Sequence, residues 1–192
     1  CVFGLGTTGM FIGDLIRQKY PEAKIVFVAR SDEDSPKVSF ALKQAKADYV
    51  KSNFDTKEEL AKAIMDKLGG TATVFIGSSG AGIEQEIAFQ YGVLGCNGIY
   101  NSFSLGPVVS FDTMPFGFKN QVIFGSINFR QDHMEEAIRI LEKSCYDEIV
   151  ELIDKGEFTE DPIGAYENKI YSKSAPMKTA VIWNEKYIDA DR

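Results

Sequence analysis

Six residues near the start of the chain, Gly4-Leu5-Gly6-Thr7-Thr8-Gly9, restrict the possible folds more than any other stretch. Cys1-Val2-Phe3 before them read as the end of a buried strand, and Met10 to Lys19 behind them as a helix. Glycines at this spacing have separate uses. The first allows a tight turn out of the strand, the second lets a pyrophosphate reach the backbone, and the third lets helix and strand close together. Unpaired N–H groups at the helix start, with the positive end of its dipole, then face the phosphates. A second strand, Lys24 to Ala29, follows where a strand–helix–strand unit needs one. This context favours a dinucleotide site over a glycine-rich turn that binds nothing.

The remainder of the chain alternates short β-rich runs with helix-period segments. Val38, Ala41, Leu42 and Ala45 share one helix face, and Asp48-Tyr49-Val50 forms a short third strand. Thr56 and Glu59 have capping-box spacing at the head of a helix that stops at Gly69-Gly70. Thr71 to Ile76 reads as a fourth strand, followed by Gly77-Ser78-Ser79-Gly80-Ala81-Gly82 and a helix from Ile83 to Tyr91. Fifth and sixth strands are expected over Gly98 to Phe103 and Gln121 to Ile127. Met134, Ala137, Ile138 and Leu141 repeat at helical spacing, as do Tyr146, Ile149, Val150 and Ile153.

Parallel neighbours need crossovers, so this alternation predicts an α/β fold: a Rossmann doubly wound parallel sheet in the order 3-2-1-4-5-6. Its ligand would lie across the strand ends at the switch point. Residues 1–155 are expected to form this NAD(P)-binding domain. Thr159-Glu160-Asp161-Pro162 looks like a linker, and Thr179 to Trp183 like a strand with no partner in that domain. No repeat or low-complexity stretch is visible.

The 192 residues suffice for one well-buried domain, and no apolar run is long enough to span a membrane. No secretory signal pattern opens the chain, which starts within a strand and without Met, as expected of a fragment. Three widely spaced cysteines, Cys1, Cys96 and Cys145, suit neither a disulfide framework nor a zinc site and point to the reducing cytoplasm. A net charge of −7 argues against nucleic acid, whose phosphates call for a basic surface. A dinucleotide remains compatible, since helix-terminal amides and one or two local cations can hold two phosphates.

The end of the second strand selects between nicotinamide cofactors. An acid there would bind the ribose hydroxyls and repel a 2′-phosphate. The chain instead has Ala29, Arg30 and Ser31, a small residue followed by a guanidinium and a hydroxyl. That set favours NADP, because arginine offers planar charge-assisted donors. NAD stays open, since Asp32, Glu33 and Asp34 follow at once and a loop shift could bring one to the ribose. Crowding of these acids around the positive end of the next helix is the competing expectation.

The motif order resembles the cofactor-binding half of the medium-chain, zinc-dependent alcohol dehydrogenase family, and within it the archaeal-type glucose dehydrogenases. Gly4 to Gly9, Val28-Ala29-Arg30-Ser31, Ala47-Asp48-Tyr49-Val50 and Gly77-Ser78-Ser79-Gly80 carry the wider resemblance. The narrower one rests on Gly125-Ser126-Ile127-Asn128 followed by His133, Met134 and Glu135-Glu136-Ala137, with Met134 where that group has an aromatic. The resemblance implies that Gly6, Thr7, Thr8 and Gly9 hold the pyrophosphate, and Arg30 and Ser31 the 2′-phosphate. Ser78, Ser79 and Gly80 would line the nicotinamide ribose, and Ser102 and Phe103 would lie along the cofactor. Ser126, Ile127 and Asn128 would approach the nicotinamide. It implies hydride transfer from the C1 hydroxyl of an aldose, with zinc bound by an N-terminal GroES-like catalytic domain outside this chain. Residues 156–192 would pack toward that domain.

The single histidine, His133, opens a helix and reads as a surface or capping group. Cys96, between Gly95 and Asn97, is expected to be buried. Phe111, Met114, Phe116 and Phe118 suggest a hydrophobic contact beside the sixth strand, in the core or against a second subunit. An uncovered sixth strand could pair with its twin, so a homo-oligomer (dimer or tetramer) is expected. Rival functions are another polyol or alcohol dehydrogenase, and a sensor module that binds NAD(P) without turnover.

Overall fold

The computed structural model describes residues 1–107, 110, 112–125, 128–143, 146–171 and 177–183. Phe111, Ser126, Ile127 and Cys145 lie outside them. The chain divides into two compact units, Cys1–Asn128 and Phe129–Arg192.

In the first unit, β1 (Val2–Phe3), β2 (Val26–Ala29), β3 (Asp48–Lys51), β4 (Ala72–Gly77), β5 (Leu94–Ser102) and β6 (Val122–Gly125) form one sheet. All neighbours are parallel and the order is β3-β2-β1-β4-β5-β6, as the alternation of elements predicts. The crossovers are α1 (Thr7–Lys19), α2 (Pro36–Ala45), α3 (Lys57–Leu68), α4 (Ile83–Phe89) and the short α5 (Thr113–Phe118).

Strand alternation assigns the faces. Val26 and Val28 pack with Leu60, Ala61 and Ile64 of α3, and with Phe75 and Ile87, in one buried cluster. Phe27 points the other way, onto α1 at Gly13, where a Cβ would strike its ring. An aromatic ladder crosses the first face: Phe3 to Phe75 at 6.0 Å, Phe75 to Tyr100 at 5.5 Å and Tyr100 to Phe89 at 5.1 Å. The Thr56–Glu59 capping box closes in both directions, and Gly69 ends α3.

One expectation fails near β5. Cys96 is exposed, not buried. The β4–β5 register shifts between Ala72 and Val74, and Asn97 adopts φ 56° while its N–H bonds to Lys119 O, so the chain bulges outward at Cys96. The aromatic group splits: Phe116 meets Phe89 edge-on at 6.0 Å, whereas Phe118 and Met114 are exposed. β6 is an edge strand, and Val122, Ile123 and Phe124 are all exposed.

The second unit contains α6 (Gln131–Leu141), β7 (Val150–Asp154), α7 (Lys155–Glu160), α8 (Pro162–Tyr166) and β8 (Lys178–Ile182). The helix expected over Tyr146 to Ile153 is instead a single 3-10 turn, Tyr146–Ile149, followed by β7. Tyr146 and Ile149 keep their helical spacing inside that turn. Beyond it, the β-branched run joins a ladder whose pairing outweighs a weak period. The segment 179–183, expected to have no partner in the nucleotide-binding domain, lies largely in β8, outside the six-stranded sheet, and pairs in parallel with β7 over five residues. Lys169 pairs with Glu151, and Trp183 meets Phe158 edge-on at 6.1 Å.

Candidate dinucleotide site at the strand ends

The chain leaves β1 through Gly4, whose φ of +107° disfavours other residues and whose N–H bonds to Val28 O at 2.8 Å. A Cβ at Gly4 would come within 2.6 Å of Ser79 N, so the turn runs hard against the end of β4. A Cβ at Gly9 would collide with Gly4 O, which explains how α1 begins directly on the strand. Gly6 is the opposite case: it is exposed and a Cβ there meets nothing within 4 Å. It is the N-cap of α1, with no side-chain cap and no acid in the first turn. The helix therefore offers N–H groups and its positive end to open space, the arrangement that accepts an anionic diphosphate.

Across the switch point, Ser78 is drawn to the same turn. Its N–H bonds to Phe3 O at 2.8 Å, and its hydroxyl lies 3.0 Å from Phe3 O and 2.9 Å from Gly4 O. Ser79 is exposed, donating its hydroxyl to Glu84 at 2.6 Å and accepting from Ala81 N–H at 3.1 Å. Gly80 N–H bonds to Ser104 Oγ at 2.8 Å. Ser102 is the register partner of Gly77, and Phe103 N–H bonds to Gly77 O at 3.0 Å. The strand ends thus bring Ser102 and Phe103 beside the Ser78–Gly80 turn. Gly125, three positions before Asn128, pairs with Ser102. Asn128 is exposed.

At the end of β2, Ala29 O accepts from Ser52 N–H at 2.8 Å. The Tyr49 hydroxyl donates to Ser31 O at 2.7 Å and lies 3.1 Å from Ala29 O. Burial first, then the charges of Glu33 and Asp32, push that phenol up to about 12, so it remains a donor. Arg30 is exposed and makes no hydrogen bond or ion pair among the described residues. Asp32 forms an ion pair with Lys51 of β3, and the hydrogen bond and charge of Lys51 hold its carboxyl below the usual carboxylate range. One of the three acids that could compete for a ribose is thereby held by a neighbouring strand.

Sequence reasoning missed Glu84, Ser104 and Tyr49. Glu84 had a legible signal: an acid at i beside Ile87 and Ala88 at i+3 and i+4 on an apolar helix face. His133 stands at a helix start as expected, with Arg130 N–H 3.4 Å from its Nδ1. Among the described residues, no group of three or more His, Cys, Asp or Glu could hold a metal ion. No described helix is long and apolar enough to cross a membrane. A cavity of about 690 Å³ opens at the opposite strand ends, lined by Ile16, Tyr20, Ile25, Leu68, Ala72 and Val74, remote from the glycine turn.

The strand order, with its switch point between β1 and β4, defines the class: a Rossmann doubly wound fold. Solved structures share it. A glucose dehydrogenase from Haloferax mediterranei, in complex with NADP, zinc and gluconolactone, superposes with a TM-score of 0.73 at 16% identity, over 95% of this chain and 50% of that one. A zinc-binding dehydrogenase from Clostridium scindens gives a TM-score of 0.75 at 18% identity, over 94% and 48%. The 2R,3R-butanediol dehydrogenase of Bacillus subtilis gives 0.71 at 19% identity, over 95% and 50%. The chain spans about half the length of these structures. No protein-family model and no curated protein matches the sequence.

Proposed function

We propose that the chain is the cofactor-binding part of an NADP-preferring dehydrogenase that oxidises a CH–OH group of a sugar or alcohol, in first place the C1 hydroxyl of an aldose. The observation that carries this reading is the glycine turn: closed at Gly4 and Gly9, open at Gly6, and set on an uncapped helix start. The residues fit a dinucleotide. Gly6, Thr7, Thr8 and Gly9 bind the diphosphate through backbone N–H groups. Arg30, exposed and unpaired, with Ser31 beside it, takes the 2′-phosphate. Ser78, Ser79 and Gly80 line the nicotinamide ribose, Ser102 and Phe103 flank it, and Ser126, Ile127 and Asn128 approach the ring.

The cofactor, when bound, supplies a hydride acceptor, while zinc held by residues outside this chain acts as Lewis acid on the substrate hydroxyl. The residues here bind and orient. Bound there, the nicotinamide would be oriented by the Ser78–Gly80 turn and the ends of β4 and β5. Residues 156–192 lead toward the GroES-like catalytic domain of the intact enzyme, and the reading places it in the cytoplasm, where Cys1 and Cys96 stay free thiols.

Titrating the chain with NADPH and NADH, followed by nucleotide fluorescence, tests the reading. Saturable binding with NADPH tighter is expected; no binding to either overturns it. A second copy of the chain is the proposed partner, docking on the exposed β6 edge at Val122, Ile123 and Phe124. Sedimentation of the intact enzyme at monomer mass would refute that pairing.

A further inference from the structure

Glu84 is 3% exposed on the face of α4 that also buries Ile87 and Ala88. Its oxygens accept from Ser79 N–H at 3.2 Å, the Ser79 hydroxyl at 2.6 Å and the Ser104 hydroxyl at 3.1 Å. Both serine hydroxyls accept from other amides, Ala81 N–H and Gly80 N–H; the Ser79 hydrogen goes to Glu84, and the Ser104 hydrogen is shared between Glu84 and Gly77 O at 3.2 Å. The group is thus ringed by donors, the partners a carboxylate accepts from. None of the described ion pairs includes it. The buried Tyr100 hydroxyl reaches the same spot, since a Cβ at Gly77 would strike both it and Glu84 Oε1.

A buried charge balanced only by neutral donors is costly to keep. Apolar packing alone would be served better by Leu or Met on that helix face. Its place answers the question. It lies directly behind Ser79 and fastens the β4–α4 turn to the end of β5 through Ser104. We propose that Glu84 is a positioning residue for the nicotinamide half of the site, and that its charge favours the oxidised, cationic ring over the neutral reduced one. This inference rests on the reading of Ser78-Ser79-Gly80 as the nicotinamide-ribose lining.

The two redox forms differ by one unit of charge on the ring. Behind a turn and out of bulk water, a carboxylate one residue away discriminates between them on the order of tenfold in affinity. A purely structural brace acts on both forms alike. The Kd ratio of NADP⁺ to NADPH therefore separates the two roles.

The experiment uses the whole chain, with NADPH measured by its fluorescence and NADP⁺ by competition against it. Glu84→Gln keeps the shape and removes the charge. It is expected to weaken NADP⁺ relative to NADPH by roughly fivefold to tenfold. A folded E84Q protein with the wild-type ratio overturns the inference and leaves the cofactor site standing. Wild-type protein that binds neither form overturns the cofactor reading and this inference with it. Ser104→Ala keeps the charge and strips one donor from it, so the ratio is expected to move the other way, toward NADP⁺, by about twofold. If E84Q does not fold, that shift carries the test, and an unchanged ratio in S104A overturns the inference.

Discussion

The two ends of the crevice are built on different principles. At the end of β2, one exposed arginine stands without a partner among the described residues. Tyr49 fastens the backbone at Ala29 and Ser31, and Lys51 holds Asp32. At the ends of β4 and β5, almost every polar group is already bonded to another, and the carboxylate at the centre is buried. One end can change its preference by a single side chain at little structural cost. The other is a packed network in which each polar side chain is held by its neighbours.

This contrast can be broken most directly at Gly77. A methyl group there strikes the Tyr100 hydroxyl and comes within 2.6 Å of Glu84 Oε1, both on buried side chains. Gly77→Ala is expected to destabilise the fold by about 1–3 kcal/mol, read from denaturant unfolding. A stability equal to wild type would mean that the network yields easily. Arg30→Ala is the counterpart. It should leave stability within about 0.5 kcal/mol of wild type, because the side chain is exposed and unpaired. NADPH affinity should nevertheless fall roughly tenfold or more while NADH affinity holds, charge-assisted phosphate contacts being worth that much. An equal loss of both nucleotides would remove the 2′-phosphate assignment.

The smallest effect is expected at Lys51. Asp32 has a folded-state pKa below its unfolded value, so its pairing stabilises above the unfolded pKa and is lost as pH falls through the folded one. Both partners are solvent-accessible, which keeps this contribution slight. Lys51→Met should return the Asp32 carboxyl to the usual carboxylate range in an NMR titration. No movement would mean that another group holds it down.

Much of this was legible because the signals are local. Gly4, Gly6 and Gly9 act through spacing within one turn, and Thr56 and Glu59 through spacing within another. Glu84 and Ser104 are twenty positions apart, and their contact exists only once β4 and β5 lie side by side. Cys96 escaped because burial was inferred from an apolar neighbourhood, whereas a register shift and a left-handed Asn97 turn it outward. The helical reading of Tyr146 to Ile153 failed for a related reason. Four apolar positions fit either period, and only the partner strand β8 decides between them.

The Ser78 hydroxyl has a single hydrogen to share between the carbonyls of Phe3 and Gly4. It works as a clasp between two crossovers that meet nowhere else in sequence, fixing the width of the opening before any guest arrives. A guest entering such an opening loses little freedom beyond its own, because the walls are already in place. If the proposed nucleotide binds here, its fit is set by this rim, and adaptability comes from the outer corner, where Arg30 stands.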